Sequence, residues 1–158
     1  MDLTIRPATD SDVPEIIAML NEFAVFEKLE HYFEITASKL SSALFDDKAF
    51  VQCLVGEIDG RLAAYAIMYP NFATFRGQKG MYLEDIYIRP EYRGTGLGAA
   101  MLKQIAKTAA SQGCERIDFV VLDWNVSAIG FYERHGAIRD EQERRFKFVD
   151  EAFKNLAS

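Results

Sequence analysis

The stretch Tyr87–Leu102, "YIRPEYRGTGLGAAML", constrains this chain more than any other. It sets glycines at 94, 96 and 98, directly after Arg93, between an apolar run and a helix-forming run. Glycine lowers the stability of regular elements, so three at alternate positions imply a backbone that needs bare peptide groups or unusual φ/ψ values. Where a strand ends in a loop that opens a helix, several N–H groups point outward unpaired, at the end where the helix carries about half a positive charge. An anion such as a phosphate fits there. Small residues at Gly94, Gly96, Gly98, Ala99 and Ala100 would let a pyrophosphate approach those amides, and Arg93 adds a fixed cation with a bidentate fork.

The rest of the chain supplies the elements such a loop needs. "LTIRP" (3–7) alternates like a short strand, and Thr9 and Asp10 then open a helix with Val13, Ile16, Ile17, Leu20, Phe23 and Ala24 at helical spacing. A second helical piece is expected over 36–45. "AFVQCLVGEI" and "RLAAYAIMY" are two strand-like runs joined by Asp59-Gly60, a dipeptide that supplies both positive φ values of a type I′ hairpin. A third run, "MYLEDIYIRP", stops at Pro90. After the glycines, "AAMLKQIAKTAASQG" is helical in period with Gly113 as its C-cap. "RIDFVVLDW" (116–124) follows as a strand apolar enough to be central, then a short helix with Asn125 at its N-cap and Gly136 past its end. "RFKFVDEAF" (145–153) is expected to be a last strand. The order is β α α β β β α β α β, read as a single domain over 1–158.

Composition narrows the function classes. With 49% hydrophobic and 27% charged residues in 158, the chain is a globular domain with a substantial core. A net charge of -6 argues against a nucleic-acid binder, for which a basic face would be expected. No stretch approaches the roughly 20 apolar residues of a membrane helix, so no membrane partner and a cytoplasmic location are expected. Cys53 and Cys114 form no metal or redox spacing, and neither sits in a motif that suggests a nucleophile; the two histidines lie far apart, and no metal site is expected.

Three known loops compete for residues 93–99. A phosphate loop of the Walker A kind is excluded because no Gly-Lys-Ser/Thr follows. "GTGLGA" satisfies G-x-G-x-x-G/A, the dinucleotide fingerprint, but that motif normally follows the first strand of a doubly wound domain, and two helices and three strands precede it here. The third pattern, Gln/Arg-x-x-Gly-x-Gly/Ala, is the coenzyme A loop of the GNAT N-acetyltransferases, and Arg93-Gly94-Thr95-Gly96-Leu97-Gly98 matches it at every defined position.

The chain resembles the GNAT family over nearly its whole length, and more narrowly the branch with spermidine/spermine and thialysine N-acetyltransferases. The residues that carry this are "EFAVFEKLE" (22–30), "YLEDIYI" (82–88), "EYRGTGLG" (91–98), "DWN" (123–125) and "FYERHGA" (131–137). The resemblance implies an α/β (α+β) fold: a mixed, mostly antiparallel central sheet flanked by helices and splayed at an acetyl-CoA cleft. It implies acetyl-CoA as co-substrate, held by the backbones of Ile86, Tyr87 and Ile88, by the loop residues Arg93, Gly94, Thr95, Gly96, Leu97, Gly98 and Ala99, and by Asn125. It implies a homodimer, and an enzyme that transfers acetyl directly to a bound amine.

That reaction needs a neutral amine, whereas an alkylamine with pKa near ~10.4 is almost fully protonated at neutral pH. Glu84, acting through water with Asp85 adjacent, matches the family's proton acceptor. Tyr132, a phenol that keeps its proton at neutral pH, matches the donor to the leaving thiolate. Phe26 and Glu27 match substrate-side residues, and carboxylates at 27, 84 and 85 would attract a second cationic centre. A small cationic amine is therefore expected as acceptor, whether a diamine, a polyamine or a lysine-like amine. Two other classes stay open: a non-catalytic acyl-CoA-binding module, and a dinucleotide-binding oxidoreductase.

Overall fold

The computed structural model describes residues 1–158 in two compact units, Met1–Val120 and Val121–Ser158. The first holds strands β1 (Leu3–Pro7), β2 (Gln52–Ile58), β3 (Arg61–Ala73), β4 (Gln78–Ile88) and β5 (Arg116–Asp118), with helices α1 (Val13–Phe26), α2 (Ala37–Phe45) and α3 (Leu97–Ser111). The strands form one sheet in the order β1-β2-β3-β4-β5, antiparallel except for the parallel pair β4/β5. This is the mixed, mostly antiparallel sheet expected from the sequence.

Each face of the sheet buries its own core. On one, Leu54, Ala64, Ala66, Met68, Met81 and Leu83 pack against Leu97, Met101 and Ile105 of α3. On the other, Val55, Tyr65, Ile67 and Tyr87 pack against Val13, Ile16 and Met19 of α1 and Leu40 of α2. The close approach of α3 explains Gly56: a Cβ there would stand 2.9 Å from Leu97 Cδ1. The hairpin between β2 and β3 turns at Asp59 (φ 50°) and Gly60 (φ 76°), the two positive values a type I′ turn requires. α2 starts where Thr36 Oγ1 accepts a hydrogen bond from Lys39 N at 3.2 Å.

β4 controls the geometry of the unit. Leu83 pairs with Met68 and Asp85 with Ile67, which leaves Glu84 as the extra residue of a β-bulge. The bulge reverses the alternation of the strand. Met81 and Leu83 face α3, whereas beyond the bulge Ile86 and Ile88 face α3 and Tyr87 faces α1. A bulge also sharpens local twist. β5 accompanies β4 only from Gly80 to Tyr82, so the sheet splays from Leu83 onward. Helix α1 is pinned to this strand at two positions: Arg89 bridges Glu15 at 2.7 Å and Glu22 at 2.9 Å, and Tyr87 Oη donates to Glu22 at 3.3 Å.

The second unit holds α4 (Val126–Arg134) and α5 (Asp150–Ala157). Asn125 caps α4 as expected, its Oδ1 accepting from Ala128 N at 3.3 Å, and Gly136 beyond the end has φ 91°. Two expectations are corrected. The strand anticipated over 116–124 covers only Arg116–Asp118, because the diverging β4 leaves later residues without a ladder partner. The strand anticipated over 145–153 does not form. Its alternation meets no neighbouring strand, while Asp150 and Glu151 in a first turn and the Glu151–Lys154 ion pair at 2.7 Å favour the helix that begins at Asp150.

Candidate functional site

The glycine loop has the geometry that its sequence suggested. Gly94 and Gly96 lie at φ 76° and 90°, and a Cβ at either would meet no atom within 4 Å. Conformation, not crowding, therefore requires glycine at both, and the space above them is open. Gly96 is the N-cap of the 15-residue α3, so Leu97, Gly98 and Ala99 belong to the turn whose amides lack a carbonyl one turn back. Thr95 ties the loop down by donating from Oγ1 to Tyr92 O at 2.7 Å. These residues form a cradle of backbone donors at a helix N-terminus, which suits a pyrophosphate.

Arg93 departs from the simple picture of a free cation. Its Nε donates to Ile88 O at 3.0 Å, and its guanidinium lies 5.3 Å from the ring centre of Phe26 and 5.8 Å from that of Tyr87. Cation–π contact thus joins the end of α1, β4 and the loop. Three residues singled out from sequence, Phe26, Tyr87 and Arg93, are brought together in this way.

The backbone of Ile86, Tyr87 and Ile88 is paired with β3 on one side only. On the other side, beyond Tyr82, β4 presents an unpaired edge that leads directly to the loop. Such an edge accepts an extended ligand with amide groups.

The three carboxylates collect on the α1 face. Glu27 is the C-cap of α1, and burial raises its pKa. Asp85 is half-buried, and its carboxyl is pushed up to about 7, first by burial and then by the charges of Glu84 and Glu27. Glu84 is exposed at the bulge and accepts from Tyr69 Oη at 2.9 Å. Below this cluster, Tyr65 is fully buried and its hydroxyl has no partner; burial and the charge of Asp85 raise its pKa well above that of a free phenol. No sequence motif marks Tyr65 or Tyr69, and Tyr82 enters only as the first residue of "YLEDIYI". A tyrosine in the middle of the otherwise apolar run "LAAYAIM" was the available signal. Tyr69 and Tyr82 are register partners, with rings stacked at 5.3 Å.

Asn125 and Tyr132, also predicted from sequence, belong to the second unit. Tyr132 lies in the last turns of α4, its ring 5.3 Å edge-on from that of Phe131, and its carbonyl accepts from the amides of His135 and Ala137. The cysteines are free and buried, and burial pushes the Cys53 thiol up to about 12, which leaves it a poor nucleophile. A cavity of about 330 Å³ bounded by Arg6, Leu44, Cys53, Met68 and Gln112 contains none of the predicted site residues. No helix is long and apolar enough to cross a membrane.

Known proteins share this pattern. The model of the acetyltransferase (GNAT) family matches residues 14–137. A thialysine N-epsilon-acetyltransferase of Mus musculus is 38% identical over 164 residues, covering 97% of this chain and 96% of its own. An L-ornithine N5-acetyltransferase of Arabidopsis thaliana is 33% identical over 178 residues, covering 84% of this chain and 78% of its own. Among solved structures, an aminoglycoside acetyltransferase from an uncultured soil metagenomic sample superposes with a TM-score of 0.78 at 15% identity, over 94% of this chain and 97% of that one.

Proposed function

Since the chain belongs to the acetyltransferase (GNAT) family and is an N-acetyltransferase, we propose that it moves the acetyl group of acetyl-CoA directly to a primary amine of a small cationic acceptor. The observation that carries this reading is the unpaired edge of β4 running into the open glycine cradle. Acetyl-CoA supplies an acyl group activated as a thioester. The amides of Gly98 and Ala99 and the loop around Gly94, Thr95, Gly96 and Leu97 hold its pyrophosphate, with Arg93 setting the wall. The backbone groups of Ile86, Tyr87 and Ile88 hold its extended arm, and one N–H on that edge stabilises charge developing on the acyl oxygen. Asn125 assists on the cofactor side.

Glu27, Glu84 and Asp85 give the acceptor side its negative charge, and Phe26 lends an apolar wall. Together they suit an amine that carries a second cationic centre. The substrates named for the two relatives, thialysine and L-ornithine, both have a side-chain primary amine and an α-amino group. The proton of the reacting ammonium leaves through the Glu84–Asp85 pair, with Glu84 reaching solvent through water. Tyr132 gives a proton to the departing thiolate; its support is the Phe-Tyr-x-x-x-Gly-Ala motif. No metal has a part in this scheme. The family match crosses from the first unit into the second, which supports residues 1–158 acting as one acetyltransferase domain. The reading extends to a cytoplasmic homodimer with no nucleic-acid partner, in keeping with the net charge of -6.

Release of free thiol from acetyl-CoA, followed with a colorimetric reagent across thialysine, L-ornithine, lysine, spermidine, putrescine and an amino sugar, tests this. Turnover of one or more of the diamines or dibasic amino acids is expected. Tight coenzyme A binding with no turnover of any amine would refute the enzymatic reading of the site.

A further inference from the structure

Arg93 touches both regions that the proposed function assigns, the cofactor edge of β4 and the aromatic end of α1. Arg89 N donates to Ala63 O at 2.9 Å, so Arg89 and, two residues earlier, Tyr87 turn their backbone groups toward β3. The N–H and C=O of Ile86 and Ile88 therefore face the unpaired side of the strand. There Ile88 O is already engaged, accepting from Arg93 Nε at 3.0 Å. The same guanidinium lies over the Phe26 ring, 5.3 Å from its centre, and 5.8 Å from the ring centre of Tyr87. In the free protein a cation of the chain itself thus occupies these ring faces.

Arg93 is held lightly. Its side chain is exposed, makes this one hydrogen bond and forms no ion pair, whereas Arg89 is fixed by both Glu15 and Glu22. A guanidinium binds phosphate oxygens through two parallel, charge-assisted hydrogen bonds, which outweigh one bond to a neutral carbonyl. A pyrophosphate in the neighbouring cradle would therefore draw Arg93 away from Ile88 and from the rings. A ring face that accepts a guanidinium accepts an ammonium as well.

Building on the acetyltransferase reading above, we propose that the faces of Phe26 and Tyr87 that Arg93 covers are the subsite for the acceptor's second cationic centre, and that Arg93 fills this subsite until the cofactor's pyrophosphate draws its guanidinium off. Two cations compete for the same rings and repel one another, so the acceptor binds weakly while Arg93 is in place. Its departure clears Ile88 O for the cofactor arm at the same time. Cofactor and acceptor then strengthen each other's binding, by linkage through the same factor.

Calorimetry of thialysine against the free protein, and against the protein saturated with coenzyme A, tests this. Wild type is expected to bind thialysine about tenfold more tightly when loaded, within the range common for coupled sites. Arg93→Gln removes the competing cation: its free form should bind thialysine about fivefold more tightly than free wild type, even though coenzyme A binds the variant less well. Its preference for the loaded form should shrink to about twofold. Phe26→Leu keeps an apolar wall without a ring face. Its loaded form should lose about fivefold in thialysine affinity and nothing in affinity for butylamine, which has no second cationic centre. An arginine that merely shaped the loop would lower coenzyme A affinity when replaced and leave thialysine binding to the free form unchanged. That result, or equal thialysine affinity for free and loaded wild type, would overturn the inference while turnover still supported the enzyme. Coenzyme A binding with no turnover of any amine would instead refute the acetyltransferase reading and the subsite with it.

Discussion

The two halves of β4 differ in ways that separate stability from chemistry. From Gln78 to Leu83 the strand lies between β3 and, over Gly80–Tyr82, β5, and sends Met81 and Leu83 into the core under α3. From Glu84 to Ile88 it keeps one neighbour, carries two carboxylates and leads into the glycine loop. One extra residue at the bulge converts the first regime into the second. A strand paired on both sides has no free amide to offer a ligand and no room for charge. A strand paired on one side has both, and its stability must come from the arginine and tyrosine contacts at its end and from the opposite core.

The largest effect that sharpens this contrast belongs to the first half. Met81 is fully buried, so Met81→Ala should cost about 2–5 kcal/mol of unfolding free energy by denaturant titration. A loss below about 1 kcal/mol would mean that the two halves do not differ as described. Next is the loop that the second half feeds. Gly96→Val forces a β-branched residue to φ 90°, at a cost of about 1–2 kcal/mol, and fills the cradle above the amides. Coenzyme A affinity by calorimetry should drop at least tenfold, and unchanged affinity would remove the loop from the cofactor site.

Much of this division is legible in the sequence. Period 2 and period 3.6 in the apolar residues located four of the strands and the main helices, Asp59-Gly60 located the hairpin, and the glycines announced positive φ at 94 and 96. The bulge was not legible. Glu84-Asp85 reads as a polar interruption of an alternating strand, and only the register against β3 reveals that the two residues share a face. Tyr65 escaped for a related reason: its significance lies in a hydroxyl without a partner, and partners are a property of packing. The strand expected over 145–153 failed because alternation specifies a surface but does not supply the neighbouring strand that a ladder needs.

A smaller effect distinguishes burial cost from catalytic use in the second half. Folded Asp85 holds its proton up to about pH 7, whereas an unfolded aspartate releases it near ~3.9. The folded state binds more protons between these values, so the stability contributed by neutral Asp85 is full below about pH 4 and is lost as pH rises through 7. Asp85→Asn keeps the neutral shape at every pH. Discounted for partial exposure, it should gain about 1 kcal/mol at pH 8, or ~2–4 °C in Tm, and the gap should close near pH 4. A variant less stable than wild type at pH 8 would show that the charge is supported by contacts the second half lacks.

The smallest effect should come from the residue nearest the surface. Tyr69 stacks on Tyr82, meets Phe50 edge-on at 6.0 Å and donates to an exposed carboxylate that water can solvate equally well. Tyr69→Phe keeps the ring and removes the bond to Glu84, so stability should change by less than about 0.5 kcal/mol. If Glu84 is the outer member of the pair and Asp85 the inner one, kcat should also fall by less than about threefold, because the proton reaches solvent from Glu84 whether or not Tyr69 holds it. A tenfold loss in Tyr69→Phe, with Asp85→Asn nearly silent, would invert the order of the two carboxylates and place the chemistry on the solvent side of the bulge.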